Sequence, residues 1–302
     1  MQMPDLGKKD LWFYYSHMQK MDSVTGFKLD PTSYARTIHQ FDVTQGRVDY
    51  HRRCRGQFQR APIDQTHSIR NHHMATFSLL DSATCAAYRA VIDQDSNRVL
   101  EQGFIAELLS QVFTDETDSA LTAYFGSEYH ADWYSLQMSD PGAPGNYSND
   151  WHFDVGSTRQ LKILCFLNDV EEHQAPTLYL PIDQSKLFAR LGYGYPAVED
   201  RLNDLSPLAQ AHGLSYTPEA VPLKAGEALM FNPQVLLHRG QVPLNSRYLI
   251  QIAVIPSSVH WKQTLASGRH WPRFEPGAQG WPIKRGGPTP TKSSIASGRV
   301  EL

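Results

Sequence analysis

The chain holds only three cysteines in 302 residues, Cys54, Cys85 and Cys165. They are odd in number and far apart, which excludes a disulfide framework and any Cys-based zinc site. No run of about 18 apolar residues occurs, so no membrane-spanning helix is expected. The first ten residues lack the apolar core of a signal peptide, and with reduced thiols this predicts a cytoplasmic protein. Charge of either sign is nearly balanced, with 28 Lys and Arg against 31 Asp and Glu, a net charge of −3. Such a surface gives no electrostatic footprint for nucleic acid. Internal repeats and low-complexity tracts are also missing. What remains is an ordinary globular composition, 41% hydrophobic and 20% charged.

The chain divides by pattern into three parts. Residues 1–75 form an aromatic, irregular N-terminal extension, with a basic cluster His51-Arg52-Arg53-Cys54-Arg55 that reads as a solvated face or as a contact for an anionic group. Residues 76–257 form the core. Its first half is helical. Asp81 or Ser82 can cap one helix. Leu100, Phe104, Leu108 and Val112 form an apolar stripe. Thr114 or Asp115 opens a further helix that Gly126 closes. From residue 130 the period changes to two, with strands expected over 132–138, 159–167, 177–181, the part of 223–231 that follows a turn and Gly226, 234–240 and 246–255. A helical insertion is expected over 184–213, broken near Pro207. Residues 258–302 form a basic C-terminal segment with little secondary-structure signal, expected to wrap the core.

The chemistry concentrates in Asn149-Asp150-Trp151-His152-Phe153-Asp154. In an extended strand residues i and i+2 share a face, so His152 and Asp154 can aim at one point while Phe153 turns away. With 13 His in 302 residues, roughly one His-x-Asp pair is expected by chance, and a second, His130-Ala131-Asp132, is present. That pair is expected at the start of the sheet, without a partner wall. His152 and Asp154 gain weight from His238, which ends the strand-like run 234–240. Two imidazoles and one carboxylate on one face of a metal, with open positions opposite, form the non-haem Fe(II) arrangement. Folding 234–255 as a hairpin about Val242-Pro243 sets His238 nearly opposite Arg247, a planar two-pronged donor for a carboxylate. Lys162, inside an apolar strand, needs an anion if it points inward. Lys162 and Gln137 are further candidates to bind a cosubstrate. Trp133, Tyr134, Trp151 and Phe153 suggest a partly apolar pocket, though aromatic side chains fill cores too.

His152-x-Asp154, His238 and Arg247 in this order resemble the Fe(II)/2-oxoglutarate-dependent dioxygenases, most closely the phytanoyl-CoA dioxygenase-like branch. Asp140-Pro141-Gly142, Trp151-His152-Phe153-Asp154 and His238-Arg239-Gly240 carry that resemblance, which covers roughly residues 120–257. It implies a mainly β fold with flanking helices, built as a double-stranded β-helix (jelly roll, cupin-like) barrel. It implies that His152, Asp154 and His238 bind Fe(II). Arg247 would anchor the far carboxylate of 2-oxoglutarate, and O2 would be consumed with release of succinate and CO2, most simply to hydroxylate a small organic substrate. The carboxylate at Asp154 argues against halogenation, because halogenases of this type carry a small residue there. Two other readings stay open: a cupin-like metalloenzyme that uses no 2-oxoglutarate, and a non-catalytic binding protein on the same barrel. The substrate and the oligomeric state are not legible.

Overall fold

The computed structural model describes residues 54–56, 58, 67–94, 99–100, 102–142, 148–154, 160–191, 193, 196, 200–266 and 281–285. The basic cluster at 51–53, the aromatic run 11–15 and most of both end segments lie outside the described residues. Antiparallel sheet flanked by helices makes up the described chain. The strands, in chain order, are β1 (Met74–Ser78), β2 (Val99–Leu100), β3 (Glu128–Ser139), β4 (Leu161–Phe166), β5 (Leu178–Tyr179), β6 (Glu219–Ala220), β7 (Glu227–Phe231), β8 (His238–Arg239), β9 (Arg247–Ser257) and β10 (Trp281–Arg285). Seven join one sheet in the order β1-β7-β4-β9-β3-β10-β2, and three form a small sheet, β6-β5-β8. Hydrogen bonding does not close the two into a barrel among the described residues.

The large sheet has two unlike faces because side chains alternate along a strand. On one face Tyr134, Leu136, Ile163, Cys165, Met230, Ile250 and Ile252 pack in the main core with residues of the helices α1 (Ser68–His72), α2 (Ser82–Gln94), α3 (Gln102–Val112) and α4 (Asp115–Phe125). This is the buttress that the apolar stripes predict. Asp81 Oδ1 accepts from Thr84 N–H at 2.7 Å and so satisfies one first-turn donor of α2. Thr114 caps α4, and Gly126 ends it at φ 67°, donating to the Thr122 carbonyl. Leu100 departs from the expected stripe. It belongs to β2, and α3 begins at Gln102. The opposite face carries Leu164, Phe166, Leu229, Phe231 and Leu249, which form a separate apolar cluster. Register puts Lys162 and Arg247 on that second face: Lys162 pairs with Ala253 on β9, and Arg247 lies six residues before it on the same strand.

Several elements differ from expectation for identifiable reasons. The expected hairpin between β8 and β9 does not form. His238 pairs with Tyr179 of β5, whereas Arg247 pairs with Ser139 of β3, in the other sheet. The expected strand over 234–240 is confined to His238–Arg239, because the Asn232 side chain accepts from Gln234 N–H at 2.8 Å and folds the start of that run into a turn. Pro207 does not break a helix. It sits in the first turn of the short helix Ser206–Ala211, where its missing N–H has no intrahelical acceptor to lose. His130 lies inside the long β3·β9 pairing, opposite Ile255, not ahead of the sheet, and Asp132 occupies the bulge between Ala131 and Trp133. In the C-terminal segment, β10 runs parallel to β3 with Lys284 opposite Gln137. β1 spans the boundary drawn at residue 75 and pairs with β7.

The β4–β7 side of the sheet is pinned at Gly226. Its φ is 87°, and an added Cβ would lie 1.9 Å from the Leu80 carbonyl oxygen. Its own carbonyl accepts from Leu79 and Leu80 N–H, at 2.9 and 3.1 Å. Gly226→Ala should therefore destabilise the fold by about 2 kcal/mol or more. Gly213→Ala, at φ 63° with no neighbour within 4 Å of the added carbon, should cost about 1–2 kcal/mol. Urea midpoints at constant slope measure the difference; equal midpoints would contradict the close approach at Leu80.

Candidate metal centre

The segment 148–154 is laced to the approach to and start of β8 by backbone bonds. His152 N–H donates to the His238 carbonyl at 3.0 Å, and His238 N–H donates back to His152 at 3.1 Å. Gly240 N–H reaches Ser148, and Asp154 N–H reaches Pro233. This reciprocal pair brings the two imidazoles side by side, with ring centroids 4.4 Å apart. Asp154 completes the set. His152, Asp154 and His238 each offer one ligand atom, and those atoms all lie within 4.8 Å of one another. It is the one such cluster of three or more metal-ligating groups among the described residues. His130 and Asp132 belong to none. The i, i+2 rule holds as expected: Phe153 points away into a second core with Trp151, Phe188 and Leu237.

The donor set fits a divalent metal. His152 Nδ1 lies 2.7 Å from the Asp150 carbonyl oxygen and His238 Nδ1 lies 3.0 Å from that of Leu236. A carbonyl only accepts, so each ring carries its proton on Nδ1 and leaves the Nε2 lone pair free. Both free nitrogens face one oxygen, Asp154 Oδ1, at 3.4 and 3.8 Å. Ligand atoms about 2.1 Å from an octahedral ion stand roughly 3 Å apart, so a small contraction closes the site. Burial holds both imidazoles below their usual range, and for His238 the neighbouring His152 adds to it. Burial opposes the charge on Asp154, but Lys162 and the two imidazoles outweigh it and hold the carboxyl well below the usual range. Two neutral imidazoles and one carboxylate are the protonation states that metal binding requires.

Lys162 turns inward, and its ammonium donates to Asp154 Oδ2. One carboxylate oxygen is thus occupied by Lys162 while the other faces the imidazoles. Gln137 donates to Ser135 Oγ at 2.5 Å and to Gln251 Oε1 at 3.0 Å, on the same sheet face as Lys162. Farther along that face is Arg247, which touches none of the three ligands. Its guanidinium makes only long bonds to neutral oxygens: Ala175 at 3.4 Å, Gln241 at 3.5 Å and Ser139 Oγ at 3.4 Å. Burial draws it down to about 10, with no carboxylate contributing. Residues 143–147 lie outside the described residues. Trp151 and Tyr134 are core residues: Trp151 Nε1–H donates to Tyr216 at 2.9 Å, and Tyr134 packs against the helices.

Sequence reasoning missed His173. It follows Asn168-Asp169 in a single helical turn, α5 (Val170–His173), with no strand period to mark it. Its ring stacks on Phe166 at 5.7 Å and accepts from Ala175 N–H at Nδ1, 3.1 Å away. Burial, then the Arg247 charge, lowers it to about 4.

The chain matches no family model and no curated protein by sequence. Solved structures with a similar trace include HygX from Streptomyces hygroscopicus with nickel, 2-oxoglutarate and hygromycin B bound. It shares 12% identity at a TM-score of 0.39, over 66% of this chain and 89% of that one. The epimerase SnoN with Fe3+, alpha-ketoglutarate and nogalamycin RO shares 13% at a TM-score of 0.44, over 78% and 96%. The alpha-ketoglutarate-dependent carbocyclase SnoK from nogalamycin biosynthesis shares 16% at 0.42, over 74% and 94%.

Two outcomes are expected here. Lys162→Met removes the partner of the ligand carboxylate and should weaken Fe(II) binding by about 10–100-fold in an anaerobic titration; unchanged affinity would show that Lys162 does not support Asp154. The folded state takes a proton at His173 only near pH 4, whereas the unfolded chain takes it near 6.5. Stability attached to that ring is therefore lost as pH falls through this window. Between pH 7 and 4.5 the urea midpoint of wild type should fall relative to that of His173→Phe; a constant difference would contradict the buried neutral ring.

Proposed function

We propose that the protein is an Fe(II)- and 2-oxoglutarate-dependent oxygenase acting on a small organic substrate. The observation that carries this reading is the convergence of His152 Nε2, His238 Nε2 and Asp154 Oδ1. The half-buried Arg247, whose guanidinium bonds no carboxylate among the described residues, supports it from farther along the same sheet face. In this reading His152, Asp154 and His238 hold Fe(II) on one side and leave the opposite positions open for the 2-oxo acid and O2. The iron, when bound, supplies the O2-dependent oxidative decarboxylation of 2-oxoglutarate to succinate and CO2, coupled to oxidation of the substrate, most simply its hydroxylation.

The chain's own residues do the rest. The Asp150 and Leu236 carbonyls hold the imidazoles in the ligating tautomer. Lys162 occupies Asp154 Oδ2, which favours coordination through Oδ1 alone and keeps ligand positions open. Arg247 binds the far carboxylate of 2-oxoglutarate through a bidentate pair. Gln137, with Gln251, lies on the same face as Arg247 and contributes hydrogen bonds to the cosubstrate. The large sheet, with β3, β9, β4 and β7 side by side, and the small one, in which His152 bridges to β8 beside β5 and β6, are read as the two walls of a double-stranded β-helix over residues 76–257. That arrangement, with the ligand order, supports placement near the phytanoyl-CoA dioxygenase-like branch. The three cysteines, buried and in no disulfide, suit a reducing compartment such as the cytoplasm, and no described helix is long and apolar enough to cross a membrane.

Succinate release from 2-oxoglutarate tests the reading. It should require added Fe(II), be abolished by Asp154→Ala, and in Arg247→Ala need at least about tenfold more 2-oxoglutarate for half-saturation. An Asp154→Ala rate equal to wild type would overturn the assignment. Loss of iron binding alone in Arg247→Ala would remove Arg247 from the cosubstrate site.

A further inference from the structure

We propose that His173 is a second donor to the anion that Arg247 holds, so that the far carboxylate of the 2-oxo acid is gripped by a guanidinium and an imidazole N–H together. This rests on the reading of the site given above.

His173 Nδ1 accepts the Ala175 N–H at 3.1 Å, so the proton of the neutral ring is on Nε2. The residue is fully buried, at 0% exposure, and Nε2 has no hydrogen-bond partner among the described residues. A buried donor left unpaired is costly. Arg247 presents the same anomaly: its Nε–H is buried and unpaired. The two groups flank one residue. Arg247 Nη1 donates to the carbonyl of Ala175, whose N–H holds the His173 ring. The His173 carbonyl accepts from Leu244 N–H at 3.0 Å, which ties α5 to the turn leading into Arg247. Phe166 fixes the plane of the ring by stacking, 14° from parallel.

Two N–H donors without partners among the described residues, beside a guanidinium that bonds no carboxylate there, call for an anion with several acceptor oxygens. A carboxylate fits, since it takes a guanidinium edge and still has lone pairs for the imidazole. The neutral state of His173 suits this role, because Nε2–H donates without adding a second buried charge.

The test uses the full chain loaded anaerobically with Fe(II), with calorimetric affinities for 2-oxoglutarate and for 2-oxobutyrate, which lacks the far carboxylate. His173→Phe keeps the stacked ring and removes the N–H. It should weaken 2-oxoglutarate about tenfold or more and leave 2-oxobutyrate within about twofold. His173→Gln restores an N–H and should recover part of the loss; it also serves if the Phe variant does not fold. Wild-type affinity for 2-oxoglutarate in both variants, or equal losses for both 2-oxo acids, overturns the role of His173 and leaves the oxygenase reading standing. Failure of the wild type to bind either 2-oxo acid overturns the oxygenase reading, and this inference with it.

Discussion

Two backbone hydrogen bonds, exchanged between His152 and His238 at 3.0 and 3.1 Å, are the constraint on which the site depends. They join chain segments that are distant in sequence and fix the spacing of the two imidazoles before any metal is considered. Each ring is then turned by a carbonyl two residues earlier in its own segment. Orientation, tautomer and separation therefore come from the backbone, a preorganisation that needs no flexible side chain to find its place. Asp154 is added by the two-residue period of an extended chain, and Lys162 is added from the opposing sheet.

The large sheet has a different role on each of its two faces. The helix-facing side of the large sheet is apolar throughout and serves stability. Its other face mixes apolar residues, Leu164, Phe166 and Leu249, with Lys162, Gln251, Gln137 and Arg247, spaced along adjacent strands. Polar groups at such density on an interior face are costly unless paired. Lys162 pairs with Asp154, and the two glutamines pair with each other. Arg247 and His173 keep buried N–H groups without partners among the described residues. The unsatisfied end of the face is thus where an anionic ligand is most needed.

The convergence of His152 and Asp154 was legible in the sequence because its cause is local and periodic: in an extended segment residues i and i+2 share a side by alternation alone. The helix caps at Thr114 and Gly126 were legible for the same reason. His238 could be named, but its neighbour could not. A hairpin between His238 and Arg247 is the simplest reading of a Pro-bearing turn, yet the chain crosses from one sheet to the other there. Sheet exchange depends on packing between distant strands and leaves no local mark. The inward direction of Lys162 was an open question until register with Ala253 placed it. His173 had no signal at all, since a single helical turn after Asn168-Asp169 looks like any loop. Pro207 shows the converse: a strong local signal, read as a break, that is equally suited to a helix start.

The most direct test of the central claim, that these residues form an iron site open to a 2-oxo acid, is an anaerobic titration of the apoprotein with Fe(II) and then 2-oxoglutarate, followed by visible absorption. A weak charge-transfer band should appear only when both are present, and be lost in His238→Ala. Iron binding with no band on adding 2-oxoglutarate would contradict the account and favour a cupin-like metalloenzyme that uses no 2-oxo acid. No metal binding at all would leave the triad a structural feature of a binding protein.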